Sequence, residues 1–398
     1  MTVAAFMDLA LYDSEHGYYA RTAQRSGRAG DFFTSVDVGP IFGELIEAQL
    51  AEMSRILNST FHIPHFDLVE AGAGNGRLAA DILRSARAHH PAVYESLRLH
   101  LVEASGEART AQRATLGETA DRLASSGDAL PASFEGVLLA NELLDAFPVH
   151  QVVMRAEGLR EVYVDVSSRS EKASSSRSAK ASSSRSAKAS SSRSAKASSS
   201  RSAKALAERL HLVEGPPSTP ALAGYLEQLG VTLEPGWRVE INLRAVDWIR
   251  DAARRLRRGF IVLIDYGHDA RELYSPTHSA GTLTTFARHQ SSGPEASPEA
   301  PAWLRHPGEQ DITAHVDFTS VRAAAEAEGL MTLAVLDQTY FLLGLLPALR
   351  DPQSAIRNPQ FKTLMIPGGI GSTHKVLILG KDVGAPALLG CSFRVRVT

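Results

Sequence analysis

Apolar residues along this 398-residue chain follow two periods in turn. Over residues 3–11 and 42–56 they recur at helical spacing, with Phe42, Leu45, Ile46, Gln49 and Leu50 on one face of the second stretch. Residues 67–70, 98–103, 136–140 and 259–264 are instead short apolar runs of strand length. The 136–140 run is apolar on both faces, as in a parallel sheet covered on each side. Residues 331–336 and 374–379 supply a last pair of strands. Helical stretches lie between the earlier strands, and that alternation predicts an α/β fold with a doubly wound, Rossmann-like sheet. The rhythm breaks over residues 147–245, which read as an inserted substrate region. Residues 287–310, rich in Ser, Pro, Gly and His, read as a long loop. The expected division is a helical or lid segment (1–66), a first core part (67–146), the insertion (147–245) and a second core part (246–398).

Within the insertion, residues 174–205 are four identical copies of Ser-Ser-Ser-Arg-Ser-Ala-Lys-Ala, preceded by a degenerate copy over 167–173. No large apolar side chain occurs there, so burial cannot offset the entropy of ordering, and a disordered loop is expected. Between 167 and 205 there are ten Lys/Arg and one Glu, a net of +9; the whole chain is −2, which leaves −11 on the rest. A basic loop on an acidic body is either a tether for an acidic partner or a tolerated surface repeat, because lengthening a loop costs little. No nucleic-acid partner is expected. No apolar run reaches the roughly 18 residues of a membrane span. The one cysteine, Cys391, rules out a disulfide framework and a cysteine zinc site. The first residues lack the pattern of a signal or transit peptide, so the cytoplasm is the expected compartment.

Candidate chemistry starts at Glu70-Ala-Gly-Ala-Gly-Asn-Gly76. Here a strand runs into a turn in which Gly72, Gly74 and Gly76 allow tight bending, and residues 78–83 continue as an apolar helical face. Such a turn presents backbone N–H groups and a helix N-terminus to a ligand. Dinucleotide sites favour G-x-G-x-x-G. The G-x-G-x-G spacing with an acid two residues ahead points instead to S-adenosylmethionine (SAM), whose cationic ammonium suits Glu70. Glu103 follows the second strand, where an acid can accept both hydroxyls of a ribose. Asp128 is either a partner for the adenine amino group or an exposed loop acid.

The third strand ends in Ala140-Asn-Glu-Leu-Leu-Asp-Ala-Phe-Pro-Val149. Asn141, Glu142 and Asp145 therefore cluster where an acceptor would meet the cofactor. Glu142 and Asp145 are three apart and share a face if the turn is helical. Paired carboxylates suit a guanidinium, which presents a planar fork of donors. Asp265 ends the fourth strand. Alternation over 311–317 would set Asp311, Thr313, His315 and Asp317 on one strand face. The sequence shows no compact His/Asp ligand set there, and no metal is expected. His315 is a candidate base.

These strings together resemble the MidA/NDUFAF7-type SAM-dependent methyltransferases, over almost the whole chain. The resemblance runs through Tyr12-Asp-Ser-Glu-His-Gly-Tyr-Tyr19, Gly30-Asp-Phe-Phe-Thr-Ser35, Phe42-Gly-Glu44 and the 70–76 turn. It continues through Asn141-Glu-Leu-Leu-Asp-Ala-Phe-Pro-Val149, Glu240-Ile-Asn-Leu243, Ile264-Asp-Tyr-Gly267, Gly281-Thr-Leu283 and Asp311-Ile-Thr-Ala-His-Val-Asp317. It implies a seven-stranded methyltransferase sheet with an inserted substrate region. It also implies SAM binding at Glu70, Gly72, Gly74, Gly76 and Glu103, cofactor contacts from Thr34 and Ser35, and acceptor-side roles for Asn141, Glu142 and Asp145. Mitochondrial members of that family methylate an arginine of a respiratory complex I subunit and assist its assembly. A protein substrate presenting an arginine is the implied partner. The repeat is not part of the family pattern, and Thr284-Thr-Phe-Ala-Arg-His289 keeps only part of the basic, aromatic stretch expected there. A bacterial member is implied by the missing transit peptide; the sequence leaves a homodimer open.

Overall fold

The computed structural model describes residues 1–20, 34–166, 210–287, 290–294, 301–365 and 373–393. The 167–205 repeat, residues 30–33, Arg288 and His289 lie outside the described residues. In chain order, β1 (Phe66–Ala71), β2 (Leu97–Val102), β3 (Leu123–Gly127) and β4 (Phe134–Asn141) open a central sheet. Then β5 (His150–Arg155), β6 (Gly158–Val166), β7 (Leu210–Gly215) and β8 (Arg238–Ile241) form a second one. The long β9 (Leu256–His268) returns to the central sheet. A third, small sheet holds β10 (Thr284–Ala287), β11 (Gln290–Ser292) and β12 (Asp311–Thr313). The short β13 (Val316–Asp317), β14 (Met331–Asp337) and β15 (His374–Lys381) complete the series.

The central sheet runs β14-β15-β9-β4-β1-β2-β3, with β13 pairing on the end of β9. Neighbours are parallel except for β15, which is antiparallel to β9 and to β14. This is the expected seven-stranded, doubly wound α/β sheet. Successive residues of β1, β4 and β9 alternate between two cores, as the pleat requires. Leu68, Val137, Leu139, Phe260, Val262 and Ile264 face helices Pro40–Phe61 and Arg77–His89. Val69, Leu138, Ala140, Ile261 and Leu263 face helices Leu243–Arg255 and Phe318–Ala327. Strand β3 was not evident from the sequence. It is an edge strand, Leu-Ala-Ser-Ser-Gly, mostly exposed, so it carries no apolar pattern.

The insertion is an antiparallel meander, β7-β6-β5-β8. The N-terminal helix Val3–Tyr12 belongs with it: Val3, Phe6, Met7 and Leu11 share a core with Val153, Val162 and Trp303. The terminal ammonium donates to the Val164 carbonyl at 2.8 Å. Residues 1–66 therefore split between two cores, the first helix on the insertion and helix Pro40–Phe61 on the central sheet.

The segment 311–317 differs from expectation. It is not one strand but two short ones in different sheets, so its four polar residues share no face. The break lies at Ala314, whose N–H donates to the Asp145 carbonyl at 2.9 Å instead of continuing a ladder. Asp311 accepts from the Tyr19 hydroxyl at 2.8 Å. Asp317 caps helix Phe318–Ala327 and accepts from Tyr225 at 2.7 Å.

Candidate active site

Strand order reverses at β1, which has β2 on one side and β4 on the other. The crevice beyond the carboxyl ends of β1 and β4 is thus the place where such sheets bind ligands. The glycine turn lines it. Gly72, Gly74 and Gly76 have φ of 73°, 52° and 85°, a region only glycine enters freely. The N–H groups of Gly72 and Ala73 donate to the Val102 carbonyl at 2.9 and 3.1 Å, which pins the turn to the end of β2. Glu103 is engaged with the turn: one carboxylate oxygen accepts from Gly74 N–H at 2.8 Å, the other from Ser105 N–H at 2.8 Å. Each oxygen keeps a further lone pair for a ligand hydroxyl. Gln112 donates to the Gly74 carbonyl at 2.8 Å and accepts from Ser126 at 2.7 Å.

A Cβ built on Gly74 would meet nothing within 4 Å, so open space stands in front of the turn. Gly74→Ala fills part of it. The left-handed backbone adds about 1–2 kcal/mol of strain. SAM affinity is expected to fall at least about tenfold, or 1.4 kcal/mol, with a melting shift of only a few degrees. Calorimetric titration and a thermal melt check both.

Glu70 is the penultimate residue of β1 and is buried, and its Oε2 has no hydrogen-bond partner. Burial pushes its pKa up to about 8; the Ala79 backbone opposes this, and Glu103 and Asp81 add to it. A ligand cation placed nearby would favour the ionised form. Asp128 is exposed in the bend after β3, at the same end of the sheet as Glu103.

The acceptor side is built on the residues after β4. The expectation of a helical turn there is not met. Glu142 has φ of 50°, and no helix begins at 141–149. Asp265, one residue past the apolar core of β9, holds this turn. Its Oδ2 accepts from the N–H groups of Leu143, Leu144 and Asp145 at 3.1, 2.8 and 3.4 Å. One carboxylate thus gathers three successive backbone donors of the turn. Asn242 adds a brace from the insertion, donating to the Leu144 carbonyl at 3.0 Å.

This turn sets out three polar side chains. Glu142 Oε1 accepts from Ser35 N–H at 3.1 Å and from the Asn141 amide at 3.2 Å, and lies 3.7 Å from His374 Nε2. Asn141 Oδ1 and Asp145 Oδ1 are buried acceptors without a donor. Burial pushes the Asp145 pKa up to about 7; the Tyr266 hydroxyl and His374 oppose the rise, and Asp311 and Glu142 add to it. Thr34 and Ser35 come to the same place. Thr34 donates to Asp37 Oδ2 at 3.0 Å, and Ser35 donates to Gln338 Oε1 at 3.3 Å. Arg77, just after the glycine turn, holds this segment through Asp37 at 2.7 Å and the Val36 carbonyl at 2.7 Å. The turn and the Thr34–Ser35 segment thus wall one crevice with Glu142.

His315 stands apart from Asn141, Glu142 and Asp145. Its ring meets Tyr266 edge-on at 5.7 Å and groups with His268 and His278. Sequence spacing gave no sign of this histidine cluster. His374 and Gln338 also escaped notice. His374 opens β15, whose antiparallel direction brings its first residue to the carboxyl end of the parallel strands, opposite Tyr266 in register. Only the pairing of β15 reveals that.

The acid-led G-x-G-x-G turn thus lies at the switch point of a seven-stranded, mostly parallel sheet. The chain belongs to the family whose model is described as "Putative S-adenosyl-L-methionine-dependent methyltransferase", matched over residues 45–336. It is 28% identical to the mitochondrial protein arginine methyltransferase NDUFAF7 of Mus musculus, over 86% of this chain and 70% of that protein. Its identity to the Drosophila melanogaster homolog is also 28%, over 97% of this chain and 83% of that one. A Burkholderia thailandensis protein crystallised with S-adenosyl-homocysteine superposes with a TM-score of 0.77; it is 28% identical, over 99% of this chain and 90% of that one. SAM is therefore the cofactor. The open space before Gly74, the unpartnered Glu70 oxygen and the spare lone pairs of Glu103 fit its backbone-contacting, cationic and ribose parts. No helix among the described residues is long and apolar enough to cross a membrane.

Proposed function

We propose that this methyltransferase transfers methyl groups to an arginine side chain of a protein substrate. The observation that carries the reading is the pair of buried, donorless acceptors, Asn141 Oδ1 and Asp145 Oδ1, beside the Glu142 carboxylate. A guanidinium offers five N–H donors and no acceptor, so it is the side chain that satisfies such a set. The relatives named as protein arginine methyltransferases support the same acceptor. By the family resemblance in the sequence, a complex I-like subunit is the protein substrate proposed.

SAM, when bound, supplies an electrophilic methyl group. A guanidinium, with a pKa above about 12, is a poor nucleophile until charge is drawn away from one nitrogen. Glu142 holds one edge of the fork, oriented by Ser35 N–H and the Asn141 amide. Asp145 holds another edge and takes the proton that the methylated nitrogen loses. His315, whose ring lies beyond Tyr266, is a weaker candidate for that proton. Binding geometry supplies most of the rate, since the reacting atoms need only be brought into line.

Asp145 must be ionised to act, so kcat/KM is expected to rise with pH through about 7. Asp145→Asn removes the rise along with most of the activity; a flat profile in the unsubstituted protein would exclude Asp145 as the base. The linked effect on stability has the opposite direction. A folded pKa of about 7 exceeds the unfolded aspartate value, so this contribution favours the folded chain at acid pH. It is lost as pH rises from about 4 through the folded pKa. To test the acceptor, the protein is incubated with methyl-labelled SAM and lysate of a strain lacking it, and the label is located by mass spectrometry. Label on an arginine supports the reading; label on a small molecule overturns it.

A further inference from the structure

His268, His278 and His315 come from three separate segments. They are the last residue of β9, the last residue of the helical turn Pro276–His278, and the link between β12 and β13. One ring nitrogen of each lies within 4.8 Å of the other two. Ring centroids are 4.7 Å apart for His268 and His278, 5.2 Å for His268 and His315, and 5.8 Å for His278 and His315.

Two further observations point outward to a ligand. Glu272 stands behind two of the rings: its backbone carbonyl is 3.0 Å from His278 Nδ1, and its Oε2 is 3.0 Å from His268 Nδ1, off the line of a hydrogen bond. A carbonyl accepting from one imidazole nitrogen, as Glu272 does behind His278, orients the other as a lone-pair donor, the arrangement found behind metal-bound histidines. His315 Nδ1 is buried and has no hydrogen-bond partner. Its backbone N–H donates to Thr282 Oγ1 at 3.1 Å, which holds the link in place.

We propose that His268, His278 and His315 bind a first-row divalent metal ion, with Zn²⁺ the best match to three imidazoles and an open fourth position. Zn–N bonds of about 2.0–2.1 Å in a tetrahedral site place ligand nitrogens about 3.3 Å apart, so the rings close inward by up to about 1.5 Å, within reach of side-chain rotation. The ion joins the end of β9, the 276–278 turn and the 314–315 link. It thereby braces the His315 ring against Tyr266. The inference is independent of the acceptor, since it holds whether or not that acceptor is arginine.

The test uses the full chain without a histidine tag, stripped by chelator, reloaded with Zn²⁺ alone and desalted. Elemental analysis is expected to find one Zn²⁺ per chain, and Co²⁺ loading to give the visible bands of a four-coordinate nitrogen site. His278→Ala and His268→Ala, made separately and shown to be folded by circular dichroism, are expected to weaken Zn²⁺ binding by at least about tenfold. His16→Ala, on a remote exposed residue, serves as the control and retains the ion. Zn²⁺ near zero in the unsubstituted protein overturns the proposal, whichever variants fold. So does unchanged binding in a folded His278 or His268 variant.

Discussion

Glu142→Gln is expected to lower kcat for methyl transfer by about 10²–10⁴-fold, the usual range for a positioned group acting on a proton or its charge. SAM affinity should change by less than about threefold, well under 1 kcal/mol. The substitution keeps the shape of the side chain. Ser35 N–H can still donate to its carbonyl oxygen, as it does to Glu142 Oε1 at 3.1 Å. What is lost is the negative charge, and with it the charge-assisted hydrogen bond to a guanidinium. The glycine turn and Glu103 are tied to each other through Gly74 N–H and not through Glu142, so they stay in place. Single-turnover methyl transfer together with calorimetric SAM binding separates the two effects. Retained kcat would remove Glu142 from the mechanism; lost SAM binding would place it on the cofactor side instead.

Gly259→Ala is expected to yield no folded protein. Gly259 and Gly136 face each other in the paired strands β9 and β4, at the centre of the sheet. A Cβ on Gly259 would lie inside the van der Waals radius of the Gly136 carbonyl oxygen, and one on Gly136 inside that of the Asp67 carbonyl. The obstacles are backbone atoms of buried strands, which have no rotamer to yield. The φ of Gly259 is 133°, which adds strain for any side chain. Separating these strands disturbs both cores. The expected loss exceeds about 4–5 kcal/mol, the range reserved for severe core defects, against a total stability of about 5–15 kcal/mol. Soluble yield and a circular dichroism melt check this. A folded variant whose melting point drops by only a few degrees would mean that the strands absorb the methyl through a local bulge.

The glycine turn was legible in the sequence. Residues 70–76 state their own chemistry because a turn is a local object: the three glycines, the acid ahead of them and the helix behind them are neighbours in the chain. Glu103 was legible for a similar reason, as the first polar residue after an apolar strand. Its engagement with Gly74 was not, since that depends on β1 and β2 lying side by side. The acceptor half was legible only as a cluster of residue types. Asn141, Glu142 and Asp145 were visible, but not the shape of their turn, which is held by Asp265, 120 residues further along than Asp145. The 311–317 segment failed in the same way. Its alternation is that of a strand, yet the Asp145 carbonyl draws Ala314 out of the ladder.

The sequence by itself determined the sheet, the glycine turn and the type of cofactor, because helix and strand periods and turn chemistry are set by residues a few positions apart. Tertiary structure alone decided which side chains share the acceptor crevice. It brought Ser35 and His374 to Glu142 and Gln338 to Ser35, set Asp265 under the turn and gathered His268, His278 and His315 into one cluster. Those meetings depend on strand order and on the reversed direction of β15, which are settled by the burial of whole faces against one another.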